Sequence, residues 1–417
     1  MTRQKRVVIA SIVVAVVIIV AAIVGFSLSS SKKGVTSTST TSSSSTSSTT
    51  TSSTTTTKPP ITAPAGTPLP SGFEPESSTF VSPQVGFVLG ISACTGSPCL
   101  TVARTEDGGK TWLAVPAPNI PLAQGPLLTT NKAAVSRIRF VNILDGYLYG
   151  PSFYATHDGG ATWHKVTLAG APSDFGVTSL ETNGTTTYLI AGNPNSVLPG
   201  ADLLYTSVAT QDNFALQSQP AFSPGWEPKV AANPQGAVIS ANNNKGDIYY
   251  QASGTSTWTH LNPDCQNGVP TNPSVALAAP AAGSSDPQIL LACGGDAGAG
   301  TQQKTIVKTT NLSTFAATAA QPPLAGILSG IASPDGKSIA VAASSGATFL
   351  YLSTNGGSSW QTVFNSSAYG GAPIHDLGFT TDTQGFAVAG NAINAGKVSS
   401  VFLMTHDAGT TWQQVTF

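Results

Sequence analysis

Short apolar runs alternate with polar turns along most of this chain, and the alternation repeats. The segments "FVSPQVGFVLG" from residue 80, "FVNILDGYLYG" from 140 and "FTTDTQGFAVAG" from 379 share one plan: an apolar stretch, a polar turn, and a strand opened by glycine and an aromatic. Each is followed by a polar box closed by tryptophan: "RTEDGGKTW" (104–112), "ATHDGGATW" (155–163) and "MTHDAGTTW" (404–412), with a fourth box, "LSTNGGSSW", at 352–360. The boxes end at Trp112, Trp163, Trp360 and Trp412, so neighbours lie 51 and 52 residues apart and the central gap is 197. A gap of nearly four units predicts three degenerate boxes, and "YTSVATQDNF", "YYQASGTSTW" and "VKTTNLSTF" supply them, ending at Phe214, Trp258 and Phe315. The degenerate units keep the upstream plan as "LETNGTTTYLIAG", "VAANPQGAVISAN", "LAAPAAGSSDPQILLACG" and "IASPDGKSIAVAAS". Four short strands in each of seven units of about 50 residues predict an all-β chain, a seven-bladed β-propeller with four-stranded antiparallel blades.

The repeat leaves the N-terminal segment unexplained, and the hydrophobic pattern there is different. Residues 7–26, "VVIASIVVAVVIIVAAIVGF", form a continuous apolar run, about the length of a membrane-spanning helix. The basic "TRQKR" before it predicts a cytoplasmic tail (1–6), an anchor at 7–26 and an extracytoplasmic remainder. A cleaved secretory signal is the competing reading, although the apolar region is long for one and lacks a clean cleavage site. Residues 36–57 are 22 consecutive Ser or Thr, with nothing to bury against the entropy of ordering. Residues 27–76 are therefore expected to be a disordered, glycosylatable Ser/Thr/Pro-rich stalk, and 77–417 the propeller. Unglycosylated, residues 30–76 would reach about 40 Å. Residues 68–76 are expected either to add an edge strand near blade 7 or to leave ring closure to face packing between blades 1 and 7.

Composition narrows the functional classes. The 417 residues carry 18 Lys+Arg and 19 Asp+Glu, a formal charge of -1, and charged residues are only 9%. No basic patch supports nucleic-acid binding. The four cysteines, Cys94, Cys99, Cys265 and Cys293, suit an oxidising compartment, and Cys94–Cys99 with Cys265–Cys293 is the natural pairing of three. No C-x-x-C spacing accompanies them, and no metal or cofactor is expected.

The clear boxes follow [ST]-x-[DN]-x-G-x-[ST]-W and resemble the Asp-box, or BNR, repeats of sialidases, sortilin-type receptors and the photosystem II assembly-factor family. Their pairing with the upstream segment is most similar to the last. The box residues are assigned as Thr105, Asp107, Gly109 and Trp112; Thr156, Asp158, Gly160 and Trp163; Thr354, Asn355, Gly357 and Trp360; and Thr405, Asp407, Gly409 and Trp412. Short carboxylates accept backbone N–H bonds in turns, so the expected role is structural. One carboxylate per box falls far short of a Ca²⁺ site.

The sialidase resemblance would require three arginines around a central ligand. Residues after the stalk offer only Arg104, Arg137 and Arg139, two of them on one strand. A glycoside hydrolase needs two suitably spaced carboxylates, and Asp145, Asp174, Asp247, Asp335, Asp376 and Asp382 lie outside the boxes. His375 and Asp376 on the inner strand of blade 7 are the candidate catalytic pair, although strand neighbours ordinarily face opposite ways. "GGDAGAG" at 294–300 reads as a flexible loop, and the loops of blades 4 and 5 as part of a binding face. The expected function is a non-catalytic protein-binding or scaffold module, with an envelope protein or a cell-surface glycan as partner. The alternative is a glycan-binding protein or a sialidase- or xyloglucanase-like hydrolase.

Overall fold

The computed structural model describes residues 61–95, 98–123, 132–193, 202–220, 228–240, 247–263, 265, 271–392 and 399–417. The expected tail, the membrane anchor at 7–26 and most of the stalk lie outside them. Among the described residues no helix is long and apolar enough to cross a membrane.

Seven antiparallel sheets follow one another along the chain, each drawn from one contiguous unit. The innermost strands are Glu74–Phe80, Arg137–Phe140, Gly176–Thr182, Lys229–Asn233, Thr271–Ala278, Ile327–Ala332 and Ile374–Phe379. The seven-bladed propeller is thus present, with blades numbered here in chain order. Second strands such as Gly146–Tyr149 and Gly236–Ser240 are buried along their whole length. They carry unbroken apolar runs because a neighbouring blade covers each face, removing the polar alternation of a one-sided sheet. Outermost strands such as His164–Lys165 and Gln413–Gln414 are exposed.

The core is divided accordingly. Seven apolar clusters occur among the described residues, and each is shared by two adjacent blades. The cluster that closes the ring sets Val88, Ala103 and Trp112 of blade 1 against Val388, Phe402 and Met404 of blade 7. Phe417 adds to it, with ring centroids 4.6 Å from Phe73 and 5.3 Å from Trp112. Closure therefore rests on packing between complete blades. Thr67–Pro68 does add an edge strand, but to the outer strand Leu113–Val115 of blade 1 and not to blade 7.

Two expectations are corrected. The folded unit begins before residue 77: Glu74–Phe80 is the inner strand of blade 1, and Glu74 and Glu76 are buried although they read as polar stalk. Second, "GGDAGAG" is not a loop. Strand Gln288–Gly298 runs through it and pairs with Thr301–Thr309 across a two-residue turn, where Ala299 and Gly300 both take positive φ, 48° and 78°. Positive φ at both positions matches the twist of paired strands, which is why so short a link suffices. Cys94 is bonded to Cys99 and Cys265 to Cys293.

Candidate functional site

The boxes close on themselves. Thr105 Oγ1 donates to Asp107 Oδ1 at 2.8 Å and accepts the Gly109 N–H at 2.9 Å. Asp107 also accepts the N–H groups of Lys110 and Thr111 and the Thr111 hydroxyl. Hydrogen bonds from Thr111 hold its carboxyl down at about 2. The same pattern recurs around Asp158 and Asp407. In the sixth box the hydroxyl belongs to Ser353, which donates to Asn355 and accepts from Gly357 N–H, while Thr354, assigned from sequence, is exposed. The box needs its hydroxyl two residues before the acid or amide, and only Ser353 stands at that spacing. Trp163 and Trp360 donate their indole N–H to Pro116 and Ala320 carbonyls of the preceding blade. The boxes thus use up their own polar groups.

Along the axis, the inner strands of all seven blades line one cavity of 580 Å³. Two of its carboxylates, Glu181 and Asp376, converge on Arg139. This guanidinium donates through Nε to Glu181 Oε1 of blade 3 at 2.8 Å and through Nη2 to Asp376 Oδ1 of blade 7 at 2.9 Å. Its Nη1 donates to the Ser78 carbonyl of blade 1 at 3.1 Å. Asp376 Oδ2 accepts from Ser77 Oγ at 2.5 Å and Ser78 N–H at 2.9 Å. Four blades are joined through one arginine of blade 2. Burial pushes the Asp376 carboxyl up, but the charges of Arg139 and Arg137 with the Arg139 hydrogen bond outweigh it, and the group sits at about 2. At Glu181 burial prevails and the carboxyl is raised despite Arg139.

His375 and Asp376 both meet blade 1. A β-bulge between Ile374 and Asp376 breaks the strand's two-residue alternation, so the expected opposite orientation does not hold. His375 Nε2 donates to the Glu76 carbonyl at 2.6 Å rather than to Asp376. Burial first, and then Arg137, hold the imidazole down at about 4, leaving it neutral near pH 7. Burial likewise pushes the Glu76 carboxyl up to about 7, against the pull of Arg137 3.5 Å away. Neither candidate has the relation of a nucleophile to its base.

The other sequence candidates are scattered. Arg104 lies on the third strand of blade 1, bonded to the Pro64 carbonyl and paired with Glu106. Asp335 caps the turn at Lys337 and Ser338, Asp174 accepts from Asn193, and Asp247 pairs with His260. Asp382 alone joins Asp376 on the cavity wall. The sequence reading passed over Glu181 and the centrality of Arg139. The alternation Arg137–Ile138–Arg139, which puts two charges on one face of an innermost strand, is the signal that marks them.

A family profile described as photosynthesis system II assembly factor YCF48 matches residues 126–397, more than half of the chain. No curated protein matches. Among solved structures, YCF48 bound to a D1 peptide is similar over 84% of this chain and 99% of its own, at 16% identity and a TM-score of 0.50. YCF48 from Cyanidioschyzon merolae is similar over 82% of this chain and 98% of its own, at 14% identity and a TM-score of 0.52. Structural likeness at such identities shows the fold, and the profile match shows the kinship: this chain belongs to the YCF48 photosynthesis system II assembly factor family of seven-bladed, Asp-box propellers.

Proposed function

We propose that this protein is a non-catalytic protein-binding module that holds a segment of an envelope protein during assembly, carried outside the membrane on an anchor at residues 7–26 and a Ser/Thr/Pro-rich stalk. The observation that carries the reading is the state of the channel. Its wall comes from seven blades and encloses 580 Å³, enough to admit side chains of a partner segment. Yet the two carboxylates that meet at Arg139 are not free for proton transfer: Asp376 stays ionised under Arg139, and Glu181 is tied to the same guanidinium. A hydrolase needs one carboxyl protonated and poised beside another. The related YCF48 with its bound D1 peptide supports a peptide as ligand. What is taken over is the mode of binding and not the photosynthetic partner, because the shared motifs build blades rather than a binding surface.

The test is capture of solubilised envelope proteins by the full chain, run beside a glycan array. Exposed Lys229 and Asp382 on the cavity wall provide the variant: Lys229→Glu with Asp382→Lys should reduce saturable capture of one protein at least about tenfold, with unchanged melting. Glycan binding without a protein partner, followed by hydrolysis that Asp376→Asn abolishes, would replace this reading with the hydrolase.

A further inference from the structure

Away from the channel, one group of metal-ligating side chains stands where the box of blade 2 meets that of blade 3. His157 occupies the position between Thr156 and Asp158 in the second box, and His164 follows the box tryptophan at the start of an outermost strand. The tight turn between them brings the imidazoles to 5.7 Å, centroid to centroid. Asp212 comes from the degenerate third box. That box retains Ser207 but has Ala209 where Asp107, Asp158 and Asp407 stand in the first, second and seventh boxes, and its one carboxylate is displaced three residues on. Both histidines reach it: His157 Nε2 lies 3.0 Å and His164 Nε2 2.6 Å from Asp212 Oδ2. One ligand atom from each of the three residues lies within 4.8 Å of the others.

Two further features separate this arrangement from an ordinary surface ion pair. His157 Nδ1 is 2.7 Å from Asp145 Oδ1. A carboxylate behind an imidazole fixes the tautomer with the proton on the rear nitrogen, leaving the front lone pair for a cation, as in carboxylate–histidine–metal triads. Without an ion, a proton on Nε2 bridges His157 to Asp212 Oδ2, and a bound cation would take the place of that proton. In addition, Asp212 Oδ1 is buried and has no hydrogen-bond partner among the described residues. His164 is 55% and His157 35% exposed, so an ion can enter from solvent.

We propose that His157, His164 and Asp212 bind a divalent transition-metal ion of the Zn²⁺ class, with Asp145 orienting His157. Two imidazoles and one carboxylate suit Zn²⁺, which takes N and O ligands at about 2.0–2.2 Å. Tetrahedral ligation at that radius separates ligand atoms by about 3.3 Å, slightly wider than the two nitrogen–oxygen spacings to Asp212 Oδ2 and within reach of exposed side chains. The ion would join two adjacent blades at their boxes, where blade 3 has lost its own box acid, and leave a fourth position open to water or a partner's side chain.

The experiment uses tag-free full chain in detergent, stripped with chelator and titrated with ZnCl₂ by calorimetry, with metal content counted after dialysis. One zinc per chain and a raised melting temperature are expected. Asp145→Asn should weaken binding about 10- to 100-fold, and His164→Gln, altering an exposed side chain, should weaken it more without changing the metal-free melt. Asp212→Asn should behave like His164→Gln. His260→Gln, at the separate His260–Asp247 pair, should leave affinity unchanged. Absence of stoichiometric zinc from the unsubstituted chain, or an affinity in His164→Gln and Asp212→Asn as high as in the unsubstituted chain, overturns the site.

Discussion

Asp107 accepts from two hydroxyls and two backbone N–H groups while partly exposed. Its worth lies in the geometry it imposes on the turn and not in its charge, since exposed charges are screened. Asn355 makes the same point within the molecule: its Oδ1 accepts the Ser358 and Ser359 N–H groups, and its Nδ2 donates to the Ser359 hydroxyl. Asp107→Ala should therefore cost about 1–2 kcal/mol, and Asp107→Asn less than half of that. Urea unfolding of the two variants checks the ordering. Equal losses would mean that the charge matters after all.

At the scale of elements, Lys304 shows how a strand is tied to the next blade. It is fully buried on the third strand of blade 5, and Nζ lies 3.0–3.1 Å from the carbonyls of Gln302, Pro323, Leu324 and Ala325. Tyr351 of blade 6 lies beneath, its ring centroid 5.7 Å from Nζ and its hydroxyl donating to the same Ala325 carbonyl. Burial pushes the ammonium down to about 8, yet four carbonyl dipoles keep it a donor near neutrality. Lys304→Met retains much of the stem but takes the ammonium away from four carbonyls at a largely buried site. It should destabilise by about 2–4 kcal/mol, read as a fall in melting temperature. Nothing in "TQQKTIVKT" distinguishes this lysine from a solvated one, because three of its four acceptors come from a segment 19 to 21 residues away.

The whole ring is closed where blades 1 and 7 meet, and buried ionisable groups concentrate there. Glu74 accepts from Ser399 and Ser400, Glu76 from the Ala392 N–H, and His375 donates back to the Glu76 carbonyl. Their titrations oppose each other. Glu76, raised to about 7, contributes stability that is present below its unfolded value near 4.5 and lost as pH rises through 7. His375, lowered to about 4, binds its proton more readily when unfolded, so its contribution is lost as pH falls from about 6.5 towards 4. Between pH 4.5 and 6.5 the two nearly cancel. Glu76→Gln removes one side of the balance: relative to the unsubstituted chain, the variant should lose about 2 kcal/mol between pH 8 and pH 5. Urea unfolding at the two pH values measures it, and parallel profiles would show that Glu76 does not titrate in this range.

The seven-fold repeat, the strand content and the box turns were legible in the chain itself, because each depends on residues within about 50 positions of one another: hydrophobic runs, turn formers and a spacing that recurs. Kinship followed from the same local motifs. The start of blade 1 was less legible, since Glu74 and Glu76 look like stalk until blade 7 supplies Ala392 and Ser400 as their partners. The channel clamp and the histidine cluster were not legible. Arg139 meets Asp376 across 237 residues and His157 meets Asp212 across 55. Such pairings carry no spacing in sequence, because what makes them neighbours is the closing of the ring and the stacking of blades. The sequence alone determined how each blade is made; only the tertiary structure decided which charges face one another, because electrostatic contacts depend on distance in space and not along the chain.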